Sequence, residues 1–154
     1  MSGLAVLRAQ SLDFPLFVHV LGAMILVGGL VASAGALGYA RGDERFLRLG
    51  YWSLLVVSVP GWVLMRAGGG WIASREGWDD LPAGASKPTW LDTGTAIADV
   101  GGAVLILAVV AGGAGVYRLR QGGGAVLLKT TLVLSLVLLA AYVVAVWAMA
   151  GKPG

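Results

Sequence analysis

Apolar and polar positions divide the chain into four long apolar stretches separated by polar connections. The stretches run at about 14–40, 49–66, 93–117 and 125–150, and a bilayer's hydrocarbon core takes about 20 helical residues. Open sheets and irregular backbone cannot satisfy their hydrogen bonds in lipid, so each stretch predicts a helix. The sequence therefore predicts one all-α domain over residues 1–154, a bundle of four transmembrane helices.

Composition agrees with a membrane protein and argues against several kinds of partner and site. Hydrophobic residues make up 58% of the chain, charged residues 12%, and the mean hydropathy is +0.84. The basic residues are scattered at helix ends rather than clustered in a stripe, which argues against nucleic acid as a partner. The chain has no cysteine, so disulfides and thiolate metal sites are excluded. Phosphate-binding, zinc-protease and serine-hydrolase motifs are also missing, so the sequence indicates no enzyme class.

Basic residues in the connections predict the orientation. Six lie on the side of loops one and three and five on the other side. Positive charge near helix ends favours the cytoplasm, so loops one and three are predicted inside a bacterial inner membrane. Both termini and the second loop, residues 67–92, are then outside. The two sets are Arg41, Arg45, Arg48, Arg118, Arg120 and Lys129 on the first side, and Arg8, Arg66, Arg75, Lys87 and Lys152 on the second.

The long second loop contains Trp71 and Trp78, seven residues apart. On a helix this spacing puts both indoles on one face, which predicts a short helix lying on the membrane surface. Tryptophan commonly anchors at the headgroup level, and the alternative is a lid over a site.

Glycines are concentrated in helices one and three, where they predict close packing. Small residues let helix backbones approach closely in lipid, so these two helices are expected to form a tight seam, although such a groove would also admit a flat macrocycle. Helix four has few glycines and is expected to face lipid or a partner subunit. The residues are Gly22, Gly28, Gly29, Gly35 and Gly38 in helix one, and Gly101, Gly102, Gly112, Gly113 and Gly115 in helix three.

Several polar and sulfur-containing residues fall at one depth. His19 and Asp99 each lie a few residues inside a helix, while Met65, Arg66 and Met149 end helices on the same side. Because alternate helices run in opposite directions, all five belong to one leaflet in either orientation. Ionisable groups inside a bilayer normally face the bundle interior and pair, so Asp99 is expected to pair with Arg66, or otherwise with His19.

A proline close to this depth predicts an opening in the bundle. Pro60 removes one backbone hydrogen bond from helix two, and Gly61 follows it. The expected kink widens the bundle and creates a small outward polar cavity that includes Arg66 and Asp99.

Three chemistries would suit such a cavity. Haem would use His19 as one axial ligand with Met65, Met149, a second protomer or an open position as the other. Copper in its reduced state would take the imidazole of His19 with a methionine thioether. Proton transfer would use His19 and Asp99, although no comparable acid reaches the other leaflet. A structural histidine, satisfied by an acid or a carbonyl, explains His19 as well.

Two short segments carry a family resemblance. The run from Phe17 to Ala23 around His19, leading to Gly28 and Gly29, and the closing run from Trp147 to Pro153 resemble bacterial predicted four-helix integral membrane proteins of unknown function. More remotely, the opening histidine with glycines is similar to the copper-resistance protein D-like and protoporphyrinogen oxidase-like membrane families. That similarity implies a ligand or redox-site role for His19, but this chain lacks further histidines.

These observations give three functional hypotheses. The first is a non-enzymatic accessory or assembly subunit of a larger inner-membrane complex, such as a respiratory one, with lipid and other membrane subunits or further copies as partners. The second is a haem- or copper-binding protein that uses His19, and the third is a small transporter. The transporter requires an inner opening that the sequence does not indicate.

Overall fold

The computed structural model describes residues 2–78 and 89–151, and these residues are almost entirely helical. The second and third helices are joined by a π-helical turn, Ser53–Ser58, so that together they form one continuous helical segment. The helices are α1 Ser2–Tyr39, α2 Glu44–Trp52, α3 Val59–Glu76, α4 Thr89–Leu119 and α5 Ala125–Gly151.

Four helical segments are long and apolar enough to cross a membrane. They are named here span one, Asp13–Tyr39; span two, Glu44–Glu76; span three, Leu91–Leu119; and span four, Ala125–Ala148. The prediction of an all-α bundle of four helices is therefore confirmed, and this is the architecture of a multi-pass membrane protein. The end of the bundle at which span one begins, α3 ends, α4 begins and α5 ends is called the terminal end.

The second loop differs from the expectation. Helix α3 continues through Trp71 to Glu76, so this segment is part of span two and not a separate surface helix. The helix ends at Gly77, which has a left-handed backbone (φ 74) that suits glycine. The Trp71 ring packs edge-on against Phe14, with centroids 5.9 Å apart. Residues 79–88 of this loop lie outside the described part of the chain.

The expected seam between the first and third spans is wrong. Helix α1 packs mainly against α3, and α4 packs mainly against α5, while α1 and α4 make no comparable contact among the described residues. The glycines of α1 that pack closely face span two: a Cβ on Gly22 would collide with the backbone of Met65. Those of α4 face both span four and span two: a Cβ on Gly101 would come within 2.6 Å of the Tyr142 hydroxyl, and one on Gly102 would collide with the Trp62 ring. Glycine thus marks close approach in both pairs.

Packing of spans one and two is a backbone-to-backbone contact. A Cβ on Gly61 would lie 2.5 Å from the backbone nitrogen of Leu26, and one on Gly68 would lie 2.5 Å from that of His19. Near the middle of the bundle, the Ser53 hydroxyl donates to the carbonyl of Gly29 over 2.9 Å. Helix association in lipid depends on such close packing and on interhelical hydrogen bonds.

The π-helical turn lies directly before Pro60, where a kink was expected. Proline has no N–H to donate to the carbonyl of Val56, and its ring would clash with that carbonyl in a regular helix. In the wider turn, the N–H of Val59 bonds to the carbonyl of Leu54, five residues back. The turn accommodates the proline and ends where the α3 seam begins.

A layer of leucines fills the centre of the bundle. The side chains of Leu26, Leu30, Leu105 and Leu138 are each at most 2% exposed, and they come from spans one, three and four. Leu54 of span two joins the same cluster. This layer separates the half of the bundle nearer loops one and three from the terminal end.

Candidate functional site

His19 is held by a backbone group of span two. Its Nδ1 lies 2.7 Å from the carbonyl oxygen of Met65. A carbonyl oxygen only accepts, so Nδ1 must carry the proton and donate. In the neutral imidazole, Nε2 therefore keeps its lone pair free to accept a hydrogen bond or to bind a ligand. A backbone carbonyl on the other ring nitrogen is also the usual support of a metal-binding histidine.

Glycines in span two make this contact possible. A Cβ on Gly68 would meet the backbone of His19, and a Cβ on Gly69 would lie 3.1 Å from His19 Nδ1. The imidazole therefore reaches the Met65 carbonyl across a helix surface that has no side chains. Sequence reasoning interpreted Gly68, Gly69 and Gly70 as the start of a loop, and this was wrong because all three lie inside α3.

The spacing of glycines in the sequence could have predicted that Gly68 lies within the helix. Gly61 and Gly68 are seven residues apart, which places them on one face of a helix, and Gly68 lies on the face that meets His19. The same face of α3 carries Met65, whose carbonyl binds His19. A search for small residues at that spacing would have predicted that Gly68, like Gly61, packs against span one.

A small cavity adjoins His19 at the terminal end, and it is called the His19 cavity. Its volume is about 60 Å³, and residues of all four spans line it. His19, Met65 and Tyr142 are among the lining residues, and the surface that faces the cavity is almost entirely apolar. The lining residues are His19, Ala23, Leu26, Val27, Met65, Gly94, Ala98, Tyr142, Ala145 and Val146.

Tyr142 is the cavity residue that sequence reasoning missed. Its side chain is 3% exposed, and its hydroxyl has no hydrogen-bond partner among the described residues. The hydroxyl lies against Gly101, where a Cβ would approach within 2.6 Å. A phenol within the Leu, Val and Ala-rich sequence of α5, opposite a glycine of α4, was the available signal.

Arg66 and Asp99 pair with each other, away from the cavity. Arg66 Nε donates to Asp99 Oδ1 over 2.7 Å, so the partner of Asp99 is Arg66 and not His19. The two side chains are 41% and 57% exposed on the outside of the bundle, and neither lines the His19 cavity. The His19 cavity is therefore not the polar cavity expected around this pair, and that polar cavity stays a prediction. The two residues can pair because they lie at the same depth in the bundle. Their positions around the helix axes point both side chains away from the bundle interior.

A tryptophan links spans two and three next to this pair. The Trp62 Nε1 donates to the carbonyl of Ala98 over 2.9 Å, and its ring packs onto Gly102. Ala98 also lines the His19 cavity, so Trp62 fixes the position of one cavity wall.

Haem does not fit the His19 cavity in this arrangement. Pockets that enclose a cofactor are typically about 300–1,000 Å³. The His19 cavity has about 60 Å³, and the leucine layer closes it from below. Met149 was the alternative ligand, and its side chain lies outside the described part of the structure.

Reduced copper is chemically compatible with part of the predicted ligand set. His19 and Met65 line the same cavity, and imidazole and thioether are suitable donors for the reduced ion. The described residues contain no cluster of three histidine, cysteine or acidic side chains. Copper binding through His19 and Met65 stays a prediction.

Comparisons with protein-family models, with curated proteins and with solved structures return no match to this chain. The functional argument therefore depends on the geometry of the bundle.

Proposed function

We propose that this protein is a non-enzymatic integral membrane protein that acts as an accessory or assembly subunit of a larger inner-membrane complex, such as a respiratory one. The observation that carries the proposal is an exposed face of α1 formed by Gly28, Ala32 and Gly35, called the small-residue face. All three residues are exposed, and a Cβ on Gly28 or Gly35 would meet no described atom within 4 Å.

The glycines of the small-residue face pack against no described part of this chain. Glycine inside a helix costs about 1 kcal/mol relative to alanine. The seam glycines Gly22 and Gly29 permit close packing on span two, but Gly28 and Gly35 point away from the bundle. Small residues four and seven positions apart in a span suit the close approach of another transmembrane helix.

The exposed Arg66–Asp99 pair gives separate support. Both residues belong to apolar spans, yet their side chains face away from the bundle. Ionisable groups in membrane spans normally face a protein interior or a wet cavity. A neighbouring subunit over this surface would supply such an environment.

The transporter hypothesis receives less support from this packing. Leu26, Leu30, Leu105 and Leu138 close the bundle below the His19 cavity. A substrate path would have to separate these side chains.

Mutation of the small-residue face tests the subunit proposal. The variant carries Gly28→Leu and Gly35→Leu, which place bulky side chains where another helix would approach. The matched control carries Ala103→Leu and Ala114→Leu, at exposed positions of α4. The mass of each assembly is measured after extraction from the native membrane in lipid nanodiscs.

The wild-type chain of 15.7 kDa is expected in a particle that contains further protein subunits. The α1 variant should lower the fraction in that particle at least about tenfold, which corresponds to roughly 1.4 kcal/mol of association free energy. The α4 control should leave it unchanged. Wild-type protein found alone in its nanodisc, or an α1 variant that assembles normally, would contradict the proposal.

We also propose that loops one and three face the cytoplasm of a bacterial cell and that the terminal end lies outside. The support is the excess of basic residues near loops one and three, where Arg45, Arg118 and Lys129 would meet the cytoplasmic headgroups. The His19 cavity would then lie near the outer surface.

A further inference from the structure

We propose that the Arg66–Asp99 pair binds a lipid headgroup that carries both a phosphate and a primary ammonium, as in phosphatidylethanolamine. The phosphate accepts hydrogen bonds from Arg66, and the ammonium donates to Asp99. The site lies on the outer surface, between the terminal halves of spans two and three. It does not depend on the proposed function, because the headgroup binds these side chains whether or not a neighbouring subunit encloses the lipid.

Two opposite charges lie within reach of one headgroup. Arg66 Nε is 2.7 Å from Asp99 Oδ1, and both side chains are exposed. A guanidinium has five N–H donors and a carboxylate has about four acceptor positions, so this bond uses only one of each. With the described residues, neither side chain makes a further hydrogen bond or ion pair. The remaining donors of Arg66 and acceptor positions of Asp99 are therefore available side by side.

The depth of the pair matches the position of a lipid headgroup. Arg66 lies 18 residues from Arg48 along span two, which corresponds to about 27 Å of helix. Asp99 lies 19 residues from Arg118 along α4, or about 29 Å. The hydrocarbon core of a bilayer is about 30 Å thick. With Arg48 and Arg118 at one boundary of that core, Arg66 and Asp99 lie at the other.

The surface next to the pair suits the acyl chains of the same lipid. One helical turn from Arg66 towards the bundle centre, span two exposes Val63. On α4, Ala103 and Ile106 lie one and two turns from Asp99 in the same direction, and both are exposed. Charged groups at one end of an apolar surface have the polarity of a phospholipid. The shared surface therefore fits a lipid better than it fits a free phosphate.

The charges of the pair select among headgroups. Phosphatidylglycerol offers a phosphate to Arg66 but no cation to Asp99. The ammonium of phosphatidylcholine carries methyl groups only, so it has no N–H to donate to the carboxylate. Exposed ion pairs contribute little, and we expect a preference of about threefold for phosphatidylethanolamine over either lipid.

A second exposed ion pair provides a matched control. Arg48 Nη2 lies 3.2 Å from Glu44 Oε2, and the two side chains are exposed to nearly the same extent as Arg66 and Asp99. This pair belongs to the end of the bundle with six basic residues and only two acidic ones, Asp43 and Glu44. The surplus positive charge there favours anionic lipids over a zwitterion.

Native mass spectrometry of the full chain, released from detergent micelles, tests the proposal. Phosphatidylethanolamine, phosphatidylcholine and phosphatidylglycerol with identical acyl chains are added singly, and the one-to-one complex is quantified. Wild type should bind the first about threefold more tightly than the others. Asp99→Asn should remove this preference and favour phosphatidylglycerol, because Arg66 is left without a counter-charge. Arg66→Gln should weaken binding of all three lipids, and Glu44→Gln should leave the preference unchanged.

Equal binding of the three lipids by wild type would overturn the proposal, as would a preference that survives Asp99→Asn. Loss of the preference in Glu44→Gln would show that net charge, and not this pair, selects the lipid, and this result also contradicts it. If Arg66→Gln with Asp99→Asn abolishes the multi-subunit particle but leaves the lipid ratios unchanged, protein covers the pair instead. Because the ratios are measured on the single chain, failure of the subunit proposal leaves them unaffected.

Discussion

Replacing Gly61 with alanine is expected to lower the free energy of unfolding by about 3 kcal/mol, the upper end of the usual cost of overpacking. The new Cβ would lie 2.5 Å from the backbone nitrogen of Leu26 and 3.0 Å from the carbonyl oxygen of Gly22. Backbone atoms cannot move aside as a side-chain end can, so spans one and two must separate. Unfolding in mixed detergent micelles, followed by near-ultraviolet circular dichroism, measures the loss.

Gly28→Ala is the matched control for this prediction. Gly28 lies in the same membrane-embedded bundle, but a Cβ there would meet no described atom within 4 Å. Alanine favours a helix over glycine by about 1 kcal/mol, so this variant should be neutral or slightly more stable. Equal stability of the Gly61 and Gly28 variants would contradict the seam between spans one and two.

Replacing Trp62 with alanine is the second change with a large expected effect. Its indole links the terminal halves of spans two and three through Ala98 and Gly102, beside the exposed Arg66–Asp99 pair. Tryptophan-to-alanine changes in packed sites cost about 3–5 kcal/mol, and we expect about 3 kcal/mol because Trp62 is only half-buried. The same micelle unfolding experiment measures it.

Two further variants separate the contributions of Trp62. Trp62→Phe keeps an aromatic ring but removes the bond to the Ala98 carbonyl, and it should cost about 1 kcal/mol. Trp52→Ala changes an exposed indole of the same span and should cost less than Trp62→Ala. If Trp62→Ala proves no more harmful than Trp52→Ala, spans two and three are not joined as described.

The fold was predictable because hydropathy and length alone determine which segments cross a bilayer. The four spans follow the four apolar stretches, although span two extends to Glu76 instead of ending near Arg66. Hydropathy does not locate this end well, because glycines and polar residues continue the helix beyond the apolar stretch. Helix α1 likewise begins at Ser2, well before the predicted start at residue 14.

The pairing of the spans was not predictable from glycine content. A glycine shows that something approaches closely, but it does not identify the neighbour. Gly22 and Gly61 therefore provide a seam between spans one and two, while Gly101 faces Tyr142 of span four. Antiparallel spans adjacent in the chain pack together in both cases, as short connections favour.

The candidate site was predictable in depth and not in direction. The constant helical rise placed His19, Met65 and Asp99 at one level, about 30 Å from the helix ends at loops one and three. Rotation about each helix axis then directs Asp99 outward and His19 towards span two. The partner of His19 is a backbone carbonyl, which every residue possesses and which therefore has no sequence signature.

The central claim is that this chain crosses the membrane four times with the His19 cavity at the outer end, and single-cysteine labelling tests it most directly. The natural chain has no cysteine, so Glu44→Cys, Ser74→Cys and Gln121→Cys each introduce one exposed thiol in a different connection or helix end. In intact spheroplasts, a membrane-impermeant thiol reagent should label only the Ser74 variant, and permeabilisation should expose the other two. Labelling of all three variants from the same side would contradict the four-span fold, and labelling of Glu44→Cys and Gln121→Cys alone would reverse the orientation.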